Sequence, residues 1–271
     1  MTMIADPSAL DPSAARPVTG RISLVGAGPG AADLLTLRAV QRLNEADVVF
    51  YDRLVDPEVL ALAGPKAELC YVGKEVGAHA WPQARICAEI TAAALQGRRV
   101  VRLKSGDPSI FGRAAEEIEA ARLFDIPVEI VPGITAACAA AAALCRPLTE
   151  RGRARQVIFA SATGQGVAEP CLPARLQPGS SYALYMAIHR LEELVGELVA
   201  EGLAPDTPVY VVAAASSRNE RVIDCTLSSL TAEVRRTGLS NPAIILFTMP
   251  VPSQSARLHG ARGITPVAVS A

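Results

Sequence analysis

The chain has 271 residues, half of them apolar and only 4% aromatic, with a formal net charge of −1. That length builds one large domain or two medium ones around a core of Ala, Leu, Val and Ile. The near-neutral balance lacks the basic footprint of a nucleic-acid binder, and no apolar run reaches the ~18 residues that cross a bilayer. No nucleic acid and no membrane is therefore expected as a partner.

Met1 to Pro17 is rich in Ala, Pro, Ser and Asp and has no basic-then-apolar layout of a secretory signal. Residues 1–19 are expected to form a flexible arm. The first half then alternates strand candidates at 21–25, 47–51, 68–72, 99–103 and 127–131 with helix candidates at 33–45, 57–63, 83–96, 113–123 and 135–144. Such alternation argues for a parallel sheet covered on both faces. Residues 145–155 turn polar and basic and read as a connector. Beyond it lie strand candidates at 156–161, 181–186, 208–213, 221–225 and 243–248, and helices at 190–201 and 228–236. The run Arg221 to Cys225 beside 208–213 suggests antiparallel pairing. The fold class expected is α/β: an N-terminal domain over 20–146 with a mostly parallel sheet, a C-terminal domain over 147–252 with a mixed sheet, an active-site cleft between them, and a flexible tail over 253–271.

The six cysteines, Cys70, Cys87, Cys138, Cys145, Cys171 and Cys225, include no Cys-x-x-Cys pair. They read as buried, reduced thiols of a cytoplasmic protein. His79, His189 and His259 are too scattered for zinc, and no metal is expected.

The most informative segment is Val25-Gly26-Ala27-Gly28-Pro29-Gly30, where an apolar strand empties into a glycine turn before a helix-like stretch. In open α/β sheets, ligands bind at the carboxyl ends of strands. Gly26-x-Gly28-x-x-Ala31 fits a loose dinucleotide fingerprint, and Asp47 and Asp52 lie near the distance of a ribose-binding acid. An NAD-dependent reductase using the Gly26–Ala31 loop is one reading. Pro29 argues against it, because a pyrophosphate needs N–H donors where Pro has none. A phosphate-free adenosine cofactor would not miss that donor.

Four more strand ends carry glycine or charge. Asp52 and Arg53 end the second strand, read either as a cap or salt bridge or as an acid facing the crevice. Gly73-Lys74 ends the third. Lys104, Asp107 and Arg113 share the loop after the fourth, where Asp107 either caps the next helix or binds a ribose hydroxyl. Gly133-Ile134-Thr135 opens the helix after the fifth, with Thr135 a candidate cap. Convergence of five such ends on one rim points to a ligand crevice.

These motifs resemble the tetrapyrrole methylases, the class III S-adenosylmethionine-dependent methyltransferases, and within them the branch acting on uroporphyrinogen III. The resemblance spans about residues 20 to 252. It is carried by Val25 to Gly30, Tyr51-Asp-Arg-Leu-Val55, Val72-Gly-Lys74, Val100-Val-Arg-Leu-Lys104, Gly106-Asp-Pro108, Phe111-Gly-Arg113 with Glu116-Glu117, and Val131 to Ala136. Pro147-Leu-Thr149 with Arg151, Tyr185-Met186 and Asn241-Pro-Ala-Ile244 extend it.

The resemblance implies S-adenosylmethionine as co-substrate and S-adenosylhomocysteine as product. It implies two methylations of uroporphyrinogen III, at C2 and C7, giving precorrin-2 by way of precorrin-1. It also implies a homodimer and hand-over of the product to a downstream precorrin-2 enzyme. Methylation of a later corrin precursor is the neighbouring alternative. Carried over by position, the cofactor contacts fall on Pro29, Ser105, Gly106, Asp107, Ile110, Thr135, Ala136, Met186, Ala215, Pro242 and Ala243. Asp52 and Lys74 match acid/base positions, with Arg113 acting by charge. Arg113, Glu116 and Arg151 match tetrapyrrole contacts, and Arg53 is added as a candidate substrate anchor by its charge. Eight substrate carboxylates call for arginine forks, and Arg146 and Arg155 are further candidates. Ser105, Ala187 and Ala213-Ala214-Ala215-Ser216 depart from the usual family residues, the last removing a carboxylate and an amide.

Overall fold

A computed structural model describes residues 20–73, 81–162, 172, 175–249 and 251. The expected arm (1–19), the expected tail (253–271) and Lys74 lie outside the described residues. The chain divides into two compact units, Met1–Ile134 and Thr135–Ala271. The sequence reading had put the boundary at 146.

The first unit holds β1 (Arg21–Gly26), α1 (Leu37–Glu45), β2 (Val48–Tyr51), α2 (Pro57–Leu60), β3 (Glu68–Tyr71), α3 (Gln83–Leu95), β4 (Arg99–Lys104), α4 (Ala114–Arg122) and β5 (Val128–Val131). The sheet order is β3-β2-β4-β1-β5 with every neighbouring pair parallel. Side chains alternate between its faces, as strand geometry requires. Ile22, Leu24, Val48, Phe50 and Val100 pack with α3 and α4 on one side. Val25, Val49, Val101 and Leu103 pack with α1 and α2 on the other. Neighbouring strands β1 and β4 thus send their helices to opposite faces, which opens a crevice at their carboxyl ends.

The helix expected over 33–45 is two pieces. A single 3-10 turn covers Ala32–Leu34, and α1 begins at Leu37. Thr36 starts it by accepting a 3.2 Å hydrogen bond from the Ala39 N–H, the service a threonine at the N-cap provides. The glycine turn therefore does not open directly onto a helix.

Gly28 and Gly106 take φ of 70°, and the glycines of the rim also allow close backbone packing. A Cβ on Gly26 would lie 2.6 Å from the Gly133 nitrogen and 2.7 Å from the Gly106 carbonyl oxygen, and one on Gly133 would overlap that same oxygen. Three turns, after β1, β4 and β5, are packed backbone against backbone. Gly28 and Gly106 close the contact with reciprocal hydrogen bonds of 3.2 and 2.7 Å.

The second unit holds α5 (Ala136–Ala143), β6 (Gln156–Ser161), β7 (Ser180–Tyr185), α6 (Leu191–Ala200), β8 (Pro208–Ala213), β9 (Arg221–Thr226), α7 (Leu230–Thr237) and β10 (Ala243–Met249). Its order is β6-β7-β10-β8-β9, with β6 and β7 parallel and the other pairs antiparallel, so the sheet is mixed as expected. Tyr182 stacks on Phe247 at 4.8 Å between ring centroids. Around that pair Leu184, Leu194, Leu198, Val209, Val211, Leu230 and Ile245 form the larger core. The opposite face is covered by Ala137, Ala139 and Ala140 of α5, set against Ala183, Val212, Ile244 and Leu246. That alanine face explains why α5 belongs with the second unit.

Of the described cysteines only Cys87 is buried; Cys138 and Cys145 are exposed, which corrects the expectation of uniformly buried thiols. Among the described residues no helix is long and apolar enough to cross a membrane.

Asp47 is a second correction. It precedes β2, at the amino edge of a fully parallel sheet and away from the turn at 26–31. There its carboxylate accepts from the Arg99 N–H, Nε and Nη2 at 2.7, 3.0 and 2.7 Å. It latches β2 to β4 and is removed from any ribose role. The Arg99 guanidinium and the Arg99 backbone N–H hold its carboxyl down to about 2.

Two outcomes follow from this architecture. Gly133→Ala is expected to lose at least the ~1–3 kcal/mol of an overpacked core, read as a lowered urea midpoint. Asp47 has a folded value below its unfolded one, so its contribution is full above the ordinary carboxylate range and fades as the pH falls from ~4 towards 2. The pair is more than one-third exposed, so solvent screening limits the effect to ~1 kcal/mol or less. Denaturant titrations of Asp47→Asn should show a flatter acid limb over that interval.

Candidate active site

Asp52 follows β2 at the carboxyl edge of the first sheet. Of the expected roles, a helix cap, a salt bridge to Arg53 or an acid facing the crevice, the pairing of Asp52 with Arg53 is not the one formed. Its partner is instead Arg102, whose Nη2 donates to both carboxylate oxygens at 2.9 and 2.7 Å. Arg102 and Lys104 alternate with Val101 and Leu103 along β4, so they lie on the Val100 face, towards α3 and α4.

On that face Glu117 of α4, with no exposed surface, accepts from Arg102 Nε at 3.0 Å and from Lys104 Nζ at 2.9 Å on each oxygen. Gln83 at the start of α3 adds a 3.2 Å bond. Arg102 Nη1 donates to the carbonyl oxygens of Leu103 and Phe50 at 3.1 and 3.4 Å. The cluster of Asp52, Arg102, Glu117 and Lys104 holds two acids and two bases, so its formal charges cancel.

Lys104 is thus the buried last residue of a strand rather than part of the following loop. Burial, then the neighbouring Arg102 cation, push its ammonium below the ordinary lysine value, against the pull of Glu117. Sequence reasoning assigned no role to Arg102 or Glu117. The available signal was Arg102 and Lys104, two basic residues on one face of β4 among Val100, Val101 and Leu103.

The loop after β4 carries Ser105, Gly106, Asp107 and Ile110. Asp107 does not cap α4. One of its oxygens accepts from the Ser109 N–H at 2.7 Å and from the Ser109 hydroxyl, and the other from the Gly133 N–H at 3.0 Å. It ties the β4 turn to the β5 turn. The next residues are held in unusual backbone geometry, with φ of 52° at Phe111 and 55° at Arg113. Such positions cost ~1–3 kcal/mol each and cluster at functional sites.

Arg113 immediately precedes α4 and forks onto Glu116 at 2.9 and 2.7 Å. Its side chain is 58% exposed, so the guanidinium stands open to an anionic ligand. The Arg113 hydrogen bond holds the Glu116 carboxyl below its usual range. Arg53 is exposed on the turn after Asp52, and Pro29 is half-buried on the β1 turn.

In the second unit the expected residues gather on one edge of the mixed sheet. Tyr185, ending β7, pairs with Ile244, while Ala213, ending β8, pairs with Ala243. Met186 and Ala214-Ala215-Ser216 therefore emerge beside Pro242 and Ala243. Thr135 and Ala136 join them through Tyr185, whose hydroxyl lies 2.6 Å from the Thr135 hydroxyl and accepts from the Ala137 N–H at 3.2 Å. Tyr185, not Thr135, supplies a side-chain cap oxygen for α5, which corrects the expected capping by Thr135. Met186, Ala214 and Ser216 have φ of 56°, 48° and 62°. The Ala214 N–H donates to the Pro242 carbonyl at 2.8 Å, so this loop is anchored by backbone despite its departure from the usual family residues. Ala215 and Ala243 are buried, and Pro242 is exposed.

Arg151 and Arg155 are exposed about the turn over 150–154. Arg146 stacks over the Tyr210 ring at 4.7 Å, which engages it within the unit. Lys74 lies outside the described residues and is not placed.

A sequence profile of the tetrapyrrole (corrin/porphyrin) methylases matches residues 21–231. The siroheme synthase of Methylococcus capsulatus is 42% identical over 234 residues, covering 86% of this chain and 49% of its own length. The chain thus spans about half the length of the curated relatives it matches. The structure of uroporphyrin-III C-methyltransferase from Thermus thermophilus, complexed with S-adenosylhomocysteine, superposes with a TM-score of 0.71 at 37% identity, covering 88% of this chain and all of that one. A cobalt-precorrin-4 methyltransferase superposes with a TM-score of 0.73 at 29% identity, covering 84% of this chain and 94% of that one. The chain belongs to the tetrapyrrole methylase family.

Proposed function

We propose that this protein transfers methyl groups from S-adenosylmethionine to C2 and then C7 of uroporphyrinogen III, giving precorrin-2. The observation that carries the reading is the 37% identity, across 88% of this chain, to a uroporphyrin-III C-methyltransferase bound to S-adenosylhomocysteine. The rim chemistry supports it. The turn at 26–31 opens onto a single 3-10 turn rather than an α-helix, and α1 is already capped by Thr36. That suits an adenosine cofactor without phosphates better than a dinucleotide. The rim instead offers carboxylates, turn backbone and small apolar surface, which fit a sulfonium cation.

The cofactor supplies an electrophilic methyl on a good leaving group. Pro29, Ser105, Gly106, Asp107 and Ile110 are the contacts proposed in the first unit. Thr135, Ala136, Met186, Ala215, Pro242 and Ala243 are those proposed in the second. The chain's task is positioning, worth up to ~7–11 kcal/mol, and proton handling, worth ~10²–10⁴-fold. A pyrrole carbon attacks the methyl, and the ring must then shed a proton. Asp52 is the proposed acceptor: Arg102 occupies part of its lone-pair capacity and leaves the rest free. Arg113 stays protonated and acts by charge, and Lys74 is proposed as the acid/base partner. Arg53, Arg113 and Arg151 are proposed to hold substrate carboxylates, with Glu116 releasing Arg113 as the substrate binds.

A second reading is methylation of a later corrin precursor, favoured by the TM-score of 0.73 to the cobalt-precorrin-4 enzyme. We also propose a homodimer in the cytoplasm that hands its product to a downstream precorrin-2 enzyme.

Anaerobic incubation with uroporphyrinogen III and isotopically labelled methyl donor should add two labels, counted by mass spectrometry. No label on uroporphyrinogen III, with label on a later precursor, would favour the second reading. Arg113→Ala should raise KM for the tetrapyrrole roughly ten- to a hundredfold, the loss of a charged hydrogen bond worth ~1.5–3 kcal/mol. Its affinity for S-adenosylhomocysteine by calorimetry should be unchanged.

A further inference from the structure

We propose that Arg102 is the positioning residue of Asp52, and that Glu117 exists to hold Arg102 in that task; this deepens the reading of Asp52 as proton acceptor and rests on it. Asp52 sits on a turn with its side chain 34% exposed, where an unsupported carboxylate would sample several rotamers. Arg102 removes that freedom by donating to both oxygens. The guanidinium cannot swing away, because Nε is bound to Glu117 and Nη1 to two backbone carbonyls. Arg102 is 3% exposed and Glu117 has no exposed side-chain surface. Neither is available to grip a substrate carboxylate, which separates them from Arg53, Arg113 and Arg151.

Stability alone is a poor reason for such a cluster. A buried ion pair is commonly matched or bettered by apolar residues of similar volume. What apolar residues cannot do is fix the direction of a carboxylate at the rim. Lys104 completes the arrangement by supplying the second cation that Glu117 requires once buried.

The test is a double-mutant cycle of D52N, R102K and D52N/R102K, assayed by single-turnover transfer of labelled methyl to uroporphyrinogen III. R102K keeps the cation but loses the planar fork that serves Asp52 and Glu117 together. D52N is expected to lower the rate ~10²–10⁴-fold. R102K is expected to lower kcat roughly ten- to a hundredfold, the scale of a misplaced reacting group, with KM for the tetrapyrrole and binding of S-adenosylhomocysteine unchanged. The double variant should be no slower than D52N alone. Two losses that multiply, or an R102K enzyme at the wild-type rate, overturn the positioning role while leaving Asp52 as acceptor. A D52N enzyme at the wild-type rate overturns the acceptor reading and this inference with it. Should R102K fail to fold, R102M/E117Q, which removes one charge of each sign, carries the same comparison.

Discussion

Glu117 is a carboxylate with no exposed side-chain surface, and it survives burial because Lys104 donates to both of its oxygens and Arg102 and Gln83 to one. An ion taken from water costs several kcal/mol unless its partners are close and well aligned. That requirement dictates the local geometry. α4 must lie over the β4 face that carries Arg102 and Lys104, and Gln83 at the start of α3 must reach the same carboxylate. Arg102, anchored in this way, has one nitrogen left for Asp52. A demand for charge satisfaction inside the domain is thereby converted into a fixed acid at its rim.

The rim itself is assembled by a second constraint of a different kind. Turns after β1, β4 and β5 approach so closely that Gly26 and Gly133 have no room for a Cβ, and Asp107 spans two of them with its carboxylate. Those contacts bring the loop at 105–110 beside the turn at 26–31. The backbone strain at Phe111 and Arg113 lies just beyond. The second unit shows the same economy: Tyr185 caps α5 and engages Thr135, and the Pro242 carbonyl holds Ala214.

Membership of the tetrapyrrole methylases fits this division of labour. Family motifs such as Gly106-Asp-Pro108 and Val131 to Ala136 are here largely tertiary devices, joining one turn to another. Val100-Val-Arg-Leu-Lys104, a strand that would ordinarily be apolar throughout, carries the ion cluster. The residues proposed to meet the substrate, Arg53, Arg113 and Arg151, are all exposed, as anchors for an anionic tetrapyrrole must be. In the first unit the ion cluster of Arg102, Lys104 and Glu117 is buried, while the proposed substrate anchors Arg53 and Arg113 are exposed.

Element type and order were legible in the chain because hydrophobic periodicity is local. Strands and helices lie within a few residues of the candidate ranges, and the parallel and mixed sheets follow from the order of the elements. The glycine turns, the acid after β2 and the arginine after the β4 loop were also visible as residue types at strand ends. Pairing between distant residues was not. That Asp52 would meet Arg102 rather than Arg53, that Asp47 would latch the opposite edge, and that α5 would side with the second sheet depend on which strands become neighbours. Strand order is a property of the whole packed sheet, so the sequence named the groups that could carry charge or turn the chain, and the tertiary structure decided which of them meet.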